Sequence, residues 1–122
     1  MIDHVSLHVS NYEKSKEFFS QALAPVGYSV ITDFPEWKAA GLGANGKPDF
    51  WIVQKEPVGN NHIALATDSH AIVDAFYKSA LAAGAKDNGA PGIRKDYHPN
   101  YYGAFVLDPD GNNIEVVCHK PE

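Results

Sequence analysis

The chain has 122 residues, a length suited to one domain with a real core, and its 44% apolar and 20% charged content is ordinary for a soluble globular protein. A formal net charge of −5 with no basic cluster argues against nucleic acid and acidic membrane surfaces as partners. No apolar run is long enough to span a bilayer, "MIDHVSLHVS" does not read as a signal peptide, and one cysteine, Cys118, permits no internal disulfide, so the expected setting is the cytoplasm.

The first expected element is a strand. Val5, Leu7 and Val9 alternate with His4, Ser6 and His8. Ser10 followed by Glu13 has the spacing of a capping box and predicts a helix start. Ser15, Phe18, Phe19, Ala22 and Leu23 then recur at helical spacing, until Pro25-Val26-Gly27 ends the helix. Three strands are expected next, in "YSVITDF", "WKAAGLG" and "DFWIVQK", with Asn45-Gly46 as a hairpin turn before the third.

His62 opens a second stretch that matches the first without gaps. His4/His62, Leu7/Leu65, Phe18/Phe76, Ala22/Ala80, Leu23/Leu81 and Ala24/Ala82 are identical pairs. The strand Ile63/Leu65 comes first, then a helix capped by Asp68 or Ser69, carrying Ile72, Val73, Phe76, Tyr77, Ala80 and Leu81 and ended by Gly84. Strands in "AKDNGAPGIRKDY", "YYGAFVLD" and "NIEVVCH" follow, the last two joined by the turn Asp108-Pro109-Asp110-Gly111. Each half reads β-α-β-β-β. About sixty residues bury an apolar face poorly alone, so the halves, about 1–57 and 58–122, should pair into one domain over 1–122. The fold class expected is α+β: a curved mixed sheet around a concave cleft, helices outside.

The alternation assigns faces. If the helices cover Val5, Leu7 and Val9 and Ile63 and Leu65, then His4, His8 and His62 face the cleft. In the last strand Ile114, Val116 and Cys118 share one face, with Cys118 a small buried side chain, and Glu115, Val117 and His119 share the other. His4 and His62 hold equivalent repeat positions, and Glu115 is in phase with them. Two imidazoles and a carboxylate facing one cleft make a three-ligand set for Fe(II), Mn(II), Ni(II) or Zn(II) with positions left open. Each residue alone has a blander reading, a half-exposed histidine or the wet side of a strand; the coincidence of all three favours the metal.

The stretches "DHVSLHVSNYEKSKEFFSQAL", "NHIALATDSHAIVDAFYKSALAAGA" and "AFVLDPDGNNIEVV" resemble the vicinal oxygen chelate superfamily, which includes glyoxalase I, fosfomycin-resistance thiol transferases, extradiol dioxygenases, methylmalonyl-CoA epimerase and bleomycin-resistance proteins. The resemblance implies one divalent metal ion held by His4, His62 and Glu115, and a homodimer. It implies a lyase, isomerase, thiol transferase or dioxygenase acting on a small molecule that chelates the ion through neighbouring oxygens. Protonated histidines do not ligate, so such binding is expected to weaken in acid. The fourth ligand of glyoxalase I, a Glu or Gln in the last strand of the first module, falls here on Trp51 or Phe50, neither of which ligates. Dioxygenases of this kind use a longer, doubled chain. Bleomycin-resistance proteins match in length but lack the ligands. The alternative function is therefore a non-catalytic small-molecule-binding protein of the same fold.

Other residues bear on specificity. His8 shares the face of His4 and is a candidate catalytic base beside Glu115. Trp51 and Phe50 give an apolar wall. In "GIRKDYHPNYYGAF", Arg94 or Lys95 suits an anionic substrate group and Tyr101 or Tyr102 a hydrogen bond to it. The same loop also reads as aromatic packing at a dimer contact. His70 and His119 read as surface residues.

Overall fold

The computed structural model describes all 122 residues, Met1 to Glu122. In chain order the elements are β1 (Val5–Val9), α1 (Tyr12–Ala22), β2 (Ser29–Phe34), β3 (Ala39–Gly43), β4 (Phe50–Gln54), β5 (His62–Thr67), α2 (His70–Ala82), β6 (Lys86–Ile93), β7 (Tyr102–Leu107) and β8 (Asn113–Cys118). The repeat is real in space. One four-stranded sheet has the order β1-β4-β3-β2 and the other β5-β8-β7-β6. In each, the first strand (β1 or β5) runs parallel to its neighbour, and the remaining pairs are antiparallel.

The predicted helices form with one shift. The α1 cap is Asn11, not Ser10: its side chain accepts from the Lys14 amide at 3.0 Å. Asparagine caps as well as serine, and moving one place keeps Ser15, Phe18, Phe19 and Ala22 buried. Ser69 caps α2, accepting from the Ile72 amide. At the far ends, Gly27 and Gly84 take the left-handed conformation a side chain resists.

A single cluster of 19 buried residues joins the two modules, running from Leu7, Val9, Phe18, Phe19 and Ile52 through Val73, Phe76 and Ala80 to Val106, Val116 and Cys118. Helix α1 lies against α2, and the short turn Ala24–Val26 also packs on α2. The modules thus meet through their helices. The sequence predicted one curved sheet around a cleft; here no strand of one sheet is hydrogen-bonded to a strand of the other, and the sheets do not close. Each uses its Leu7- or Leu65-bearing face to cover the helices. On the opposite faces Ser6 of β1 and His62, Ala64 and Ala66 of β5 are exposed, while Gly103, Phe105, Glu115 and Val117 are buried. None of the helices is long and apolar enough to cross a membrane.

The turn before β8 ties the modules together. The Asp108 carboxylate is 5% exposed and accepts from the amides of Asp110 and Asn112 and from the Asn112 side chain. Burial pushes its carboxyl above the ordinary value, against the pull of those hydrogen bonds. Asn112 Oδ1 accepts from the Asn61 amide, and Asp110 accepts from the Ser10 amide across the module boundary.

At the edge of the first sheet, Asp33 accepts from the Tyr12 hydroxyl and from Lys16 at 2.9 Å. The Tyr12 bond, then Lys16, holds its carboxyl below the ordinary range. A carboxyl lowered in the folded state stabilises above the unfolded value of about 4, and that contribution is lost as pH falls through the lower folded value. We therefore expect Asp33→Asn to remove part of the stability loss on acidification, read from urea midpoints taken between neutral pH and the acid range.

Candidate functional site

Glu115 lies mid-strand in β8, opposite Ala64 of β5 and Phe105 of β7. It points away from the helix-facing residues Ile114 and Val116 yet is only 1% exposed. Its cover comes from three side chains. His62 Nε2 donates to Oε1 at 2.9 Å, the Tyr101 hydroxyl donates to Oε2, and the His62 ring leans on Phe105 with centroids 6.3 Å apart. Gly103 makes the room: a Cβ there would stand 3.3 Å from Glu115 Oε2 and 3.3 Å from the Tyr101 ring. Burial first, then the carboxylate, pushes the Tyr101 phenol up, so it remains a proton donor at neutral pH.

Arg94 borders this face. Its guanidinium lies 5.2 Å from the Phe105 ring centre and is held by the carbonyls of Gly92 and Ala90. Tyr97, His98 and His119 ring Tyr101, with centroids 4.8, 5.4 and 5.2 Å away. His98 accepts at Nδ1 from the Asn100 amide, so its proton sits on Nε2, which donates to His119 Nδ1 at 2.7 Å. His119 is exposed, as expected, but belongs to this cluster. Phe105, Gly103 and this imidazole pair escaped the sequence reading. Their phase against Glu115 becomes visible only once β7 is paired with β8 in register.

The remaining expectations divide. His62 and Glu115 come together, joined by Tyr101. His4 does not join them: it precedes β1, is more than half exposed and bonds Asp3 at 2.8 Å. The ligand atoms of His4, His62 and Glu115 are not grouped within 4.8 Å of one another in one chain. The reason is the helix-to-helix joining of the modules, which leaves the two polar sheet faces apart. His8 lies on the first sheet, donating from Nδ1 to the Pro57 carbonyl at 3.1 Å, away from Glu115. Lys95 is exposed. Tyr102 is a correction. Strand alternation puts it on the helix-facing side of β7, where its hydroxyl bonds Asp74 and its ring stacks on His70. His70 is likewise half-buried rather than a free surface residue.

The registers also decide between Trp51 and Phe50. Ser6 pairs Trp51 as its repeat mate Ala64 pairs Glu115, so Trp51 is the counterpart of Glu115. Phe50 is 2% exposed and belongs to the core. The Trp51 indole stacks on Phe34 at 6.2 Å and lies flat over β3 because Gly41, opposite, has no side chain.

A cavity of about 600 Å³ lies elsewhere, in the cleft between α1 and the turn after α2 that Lys14, Glu17, Phe18, Lys86 and Asp108 help to line. On the Glu115 face a carboxylate and an imidazole are in contact, with Glu115 buried and His62 exposed at the β5 side.

Two βαβββ modules joined through their helices define a glyoxalase-like protein. The chain belongs to the glyoxalase/bleomycin resistance protein/dioxygenase superfamily, whose family model matches residues 1–116. It is 29% identical to the uncharacterized protein YqjT of Bacillus subtilis (strain 168), over 94% of this chain and 96% of that protein. A glyoxalase/bleomycin resistance protein from Albidiferax ferrireducens T118 has a similar structure, with a TM-score of 0.79 and 25% identity over 97% of each chain. A putative glyoxalase from Bacillus halodurans superposes with a TM-score of 0.71 and 25% identity over 97% of this chain and 95% of that one. A glyoxalase I variant from Zea mays shares the fold at a TM-score of 0.68 and 23% identity, matched over 95% of this chain but 46% of the maize chain.

Proposed function

We propose that this protein is a metal-dependent enzyme acting on a small substrate with neighbouring oxygens, in the lyase, isomerase, thiol transferase or dioxygenase range, and that it works as a homodimer. The observation that carries this is Glu115, a nearly fully buried carboxylate held between His62 and Tyr101 beside the exposed residues of β5. A buried carboxylate needs partners. An imidazole and a phenol supply them here, and the first is a metal ligand in its own right. The donor set fits a borderline divalent ion such as Fe(II), Mn(II), Ni(II) or Zn(II).

One chain supplies two donors, and the exposed residues of β5 beside Glu115 leave room for a third from a second copy. His4 of a second copy would complete the set if the first sheet of that copy faced the second sheet of this one. When bound, the ion acts as a Lewis acid for negative charge on substrate oxygens. The chain's own residues do the rest. Glu115 offsets part of the ion's charge. Tyr101 keeps one carboxylate oxygen oriented. Arg94 stands ready for an anionic substrate group. Trp51, brought by the facing sheet, gives an apolar wall where glyoxalase I has a ligand. His8 lies on that same facing sheet, and with Nδ1 bonded to Pro57 its Nε2 is the nitrogen free to accept a proton.

Trp51 also favours the alternative, a protein of this fold that binds a small molecule without transforming it. Metal content separates the two. After reconstitution with each of the four ions, elemental analysis should find about one more ion per chain in wild type than in His4→Ala, and light scattering should show a dimer. Absence of any His4-dependent ion in wild-type protein would sink the enzyme reading.

A further inference from the structure

A second group of donors lies on the other face of β8. A ring nitrogen of His70, the sulfur of Cys118 and a carboxylate oxygen of Glu122 lie within 4.8 Å of one another. We propose that these three residues form a separate binding site for a thiophilic divalent ion of the Zn(II) type. The site is independent of Glu115, because Cys118 and Glu115 point to opposite faces of the strand.

Each donor is held in place by hydrogen bonds or pairing beyond its ligand atoms. His70 opens α2, and its ring is stacked on Tyr102 at 3.9 Å with the planes 2° apart. Tyr102 is itself pinned by Asp74, through a 2.6 Å bond from its hydroxyl. The ring is also oriented along its edge: Nε2 lies 3.0 Å from the Lys120 carbonyl oxygen. A carbonyl only accepts, so the proton is on Nε2 and the lone pair on Nδ1. This is how metal-ligating histidines are usually supported, with the other ring N–H given to a carbonyl or carboxylate. Cys118 ends β8 and is 0% exposed, its position fixed by pairing with Thr67 and Tyr102. Glu122 folds back to accept from the His70 backbone amide at 2.6 Å, and the tail leading to it is tethered by a Lys120–Asp68 ion pair of 3.3 Å.

The donor chemistry selects the ion. One sulfur, one nitrogen and one carboxylate oxygen suit Zn(II), Co(II) or Cd(II), whereas Mg(II) and Ca(II) want oxygen alone. Three donors leave one tetrahedral position for water. Glu122 is exposed and His70 half-buried, so the ion enters from the tail side. Binding displaces the thiol proton from Cys118 and fastens residues 118–122 to the start of α2.

Cys118 is the only cysteine, which makes the test specific. Full-length protein titrated with Co(II) should develop a sulfur-to-cobalt charge-transfer band in the near ultraviolet that Zn(II) abolishes. The band should persist in Glu115→Ala, where the ion of the first site is expected to be lost. It should vanish in Cys118→Ser, and His70→Ala should weaken Co(II) binding by about tenfold or more, with circular dichroism confirming that the variant is folded. Two results would overturn the proposal: no thiolate band in wild-type protein, or His70→Ala binding Co(II) as tightly as wild type.

Discussion

Phe76→Ala should lower the unfolding free energy by about 3–5 kcal/mol, the usual range for removing a buried phenylalanine. Phe76 is 0% exposed in the middle of α2, within the cluster that joins both modules. Domains of this size are stable by about 5–15 kcal/mol, so the variant retains only a fraction of the margin. The shared core makes a sharper statement. Both tryptophans, Trp37 and Trp51, belong to the first module, and Phe76 belongs to the second. Because the helices bury their apolar faces against each other, neither module has a complete core alone. Urea unfolding followed by tryptophan fluorescence should therefore shift to lower denaturant together with far-ultraviolet circular dichroism. A fluorescence midpoint that stays at the wild-type value while the dichroism transition moves would mean that the modules unfold independently.

The element order was legible because the repeat stated it twice. Period-2 runs before capped helices, with Gly27, Gly84 and the Asp108–Gly111 turn as punctuation, left little freedom over which segments were strands. The phase of Glu115 was legible too, since Ile114, Val116 and Cys118 had to cover a helix. What the repeat did not carry was contact. His4 and His62 are equivalent in sequence, yet His62 opens β5 while His4 lies just outside β1. Symmetry of modules does not bring two faces together when the modules join through the helices on the opposite sides. Tyr101 and Tyr102 show the same limit on a smaller scale. Adjacent residues of a strand or its extension point to opposite faces, and only the pairing of Phe105 with Glu115 tells which tyrosine goes where. The His70–Cys118–Glu122 group was hidden for a similar reason, since it depends on the tail returning to the start of α2.

Glu115→Gln should remove the ion that His4→Ala removes while leaving the fold nearly intact. The amide keeps the volume of the side chain and one oxygen, so either His62 or Tyr101 still has an acceptor. Its second group is a donor without charge, and it neither offsets a divalent ion nor ligates through nitrogen. Stability should change by about 1 kcal/mol, because the loss of one hydrogen bond is opposed by relief from burying a charge. Glu115→Ala should lose the ion as well but cost more, about 1–3 kcal/mol, since it strips the acceptor from both the Tyr101 hydroxyl and His62 and leaves a void beside Gly103. Tyr101→Phe supplies the contrast. The hydroxyl orients Glu115 Oε2 without being a donor to the ion, so that variant should keep its metal content at saturating concentration. Elemental analysis and urea midpoints on the three variants separate these contributions. If Glu115→Gln holds the His4-dependent ion as wild type does, Glu115 is not its ligand. The buried carboxylate would then be a structural partner of His62 and Tyr101, and the balance would move to the non-catalytic binding protein.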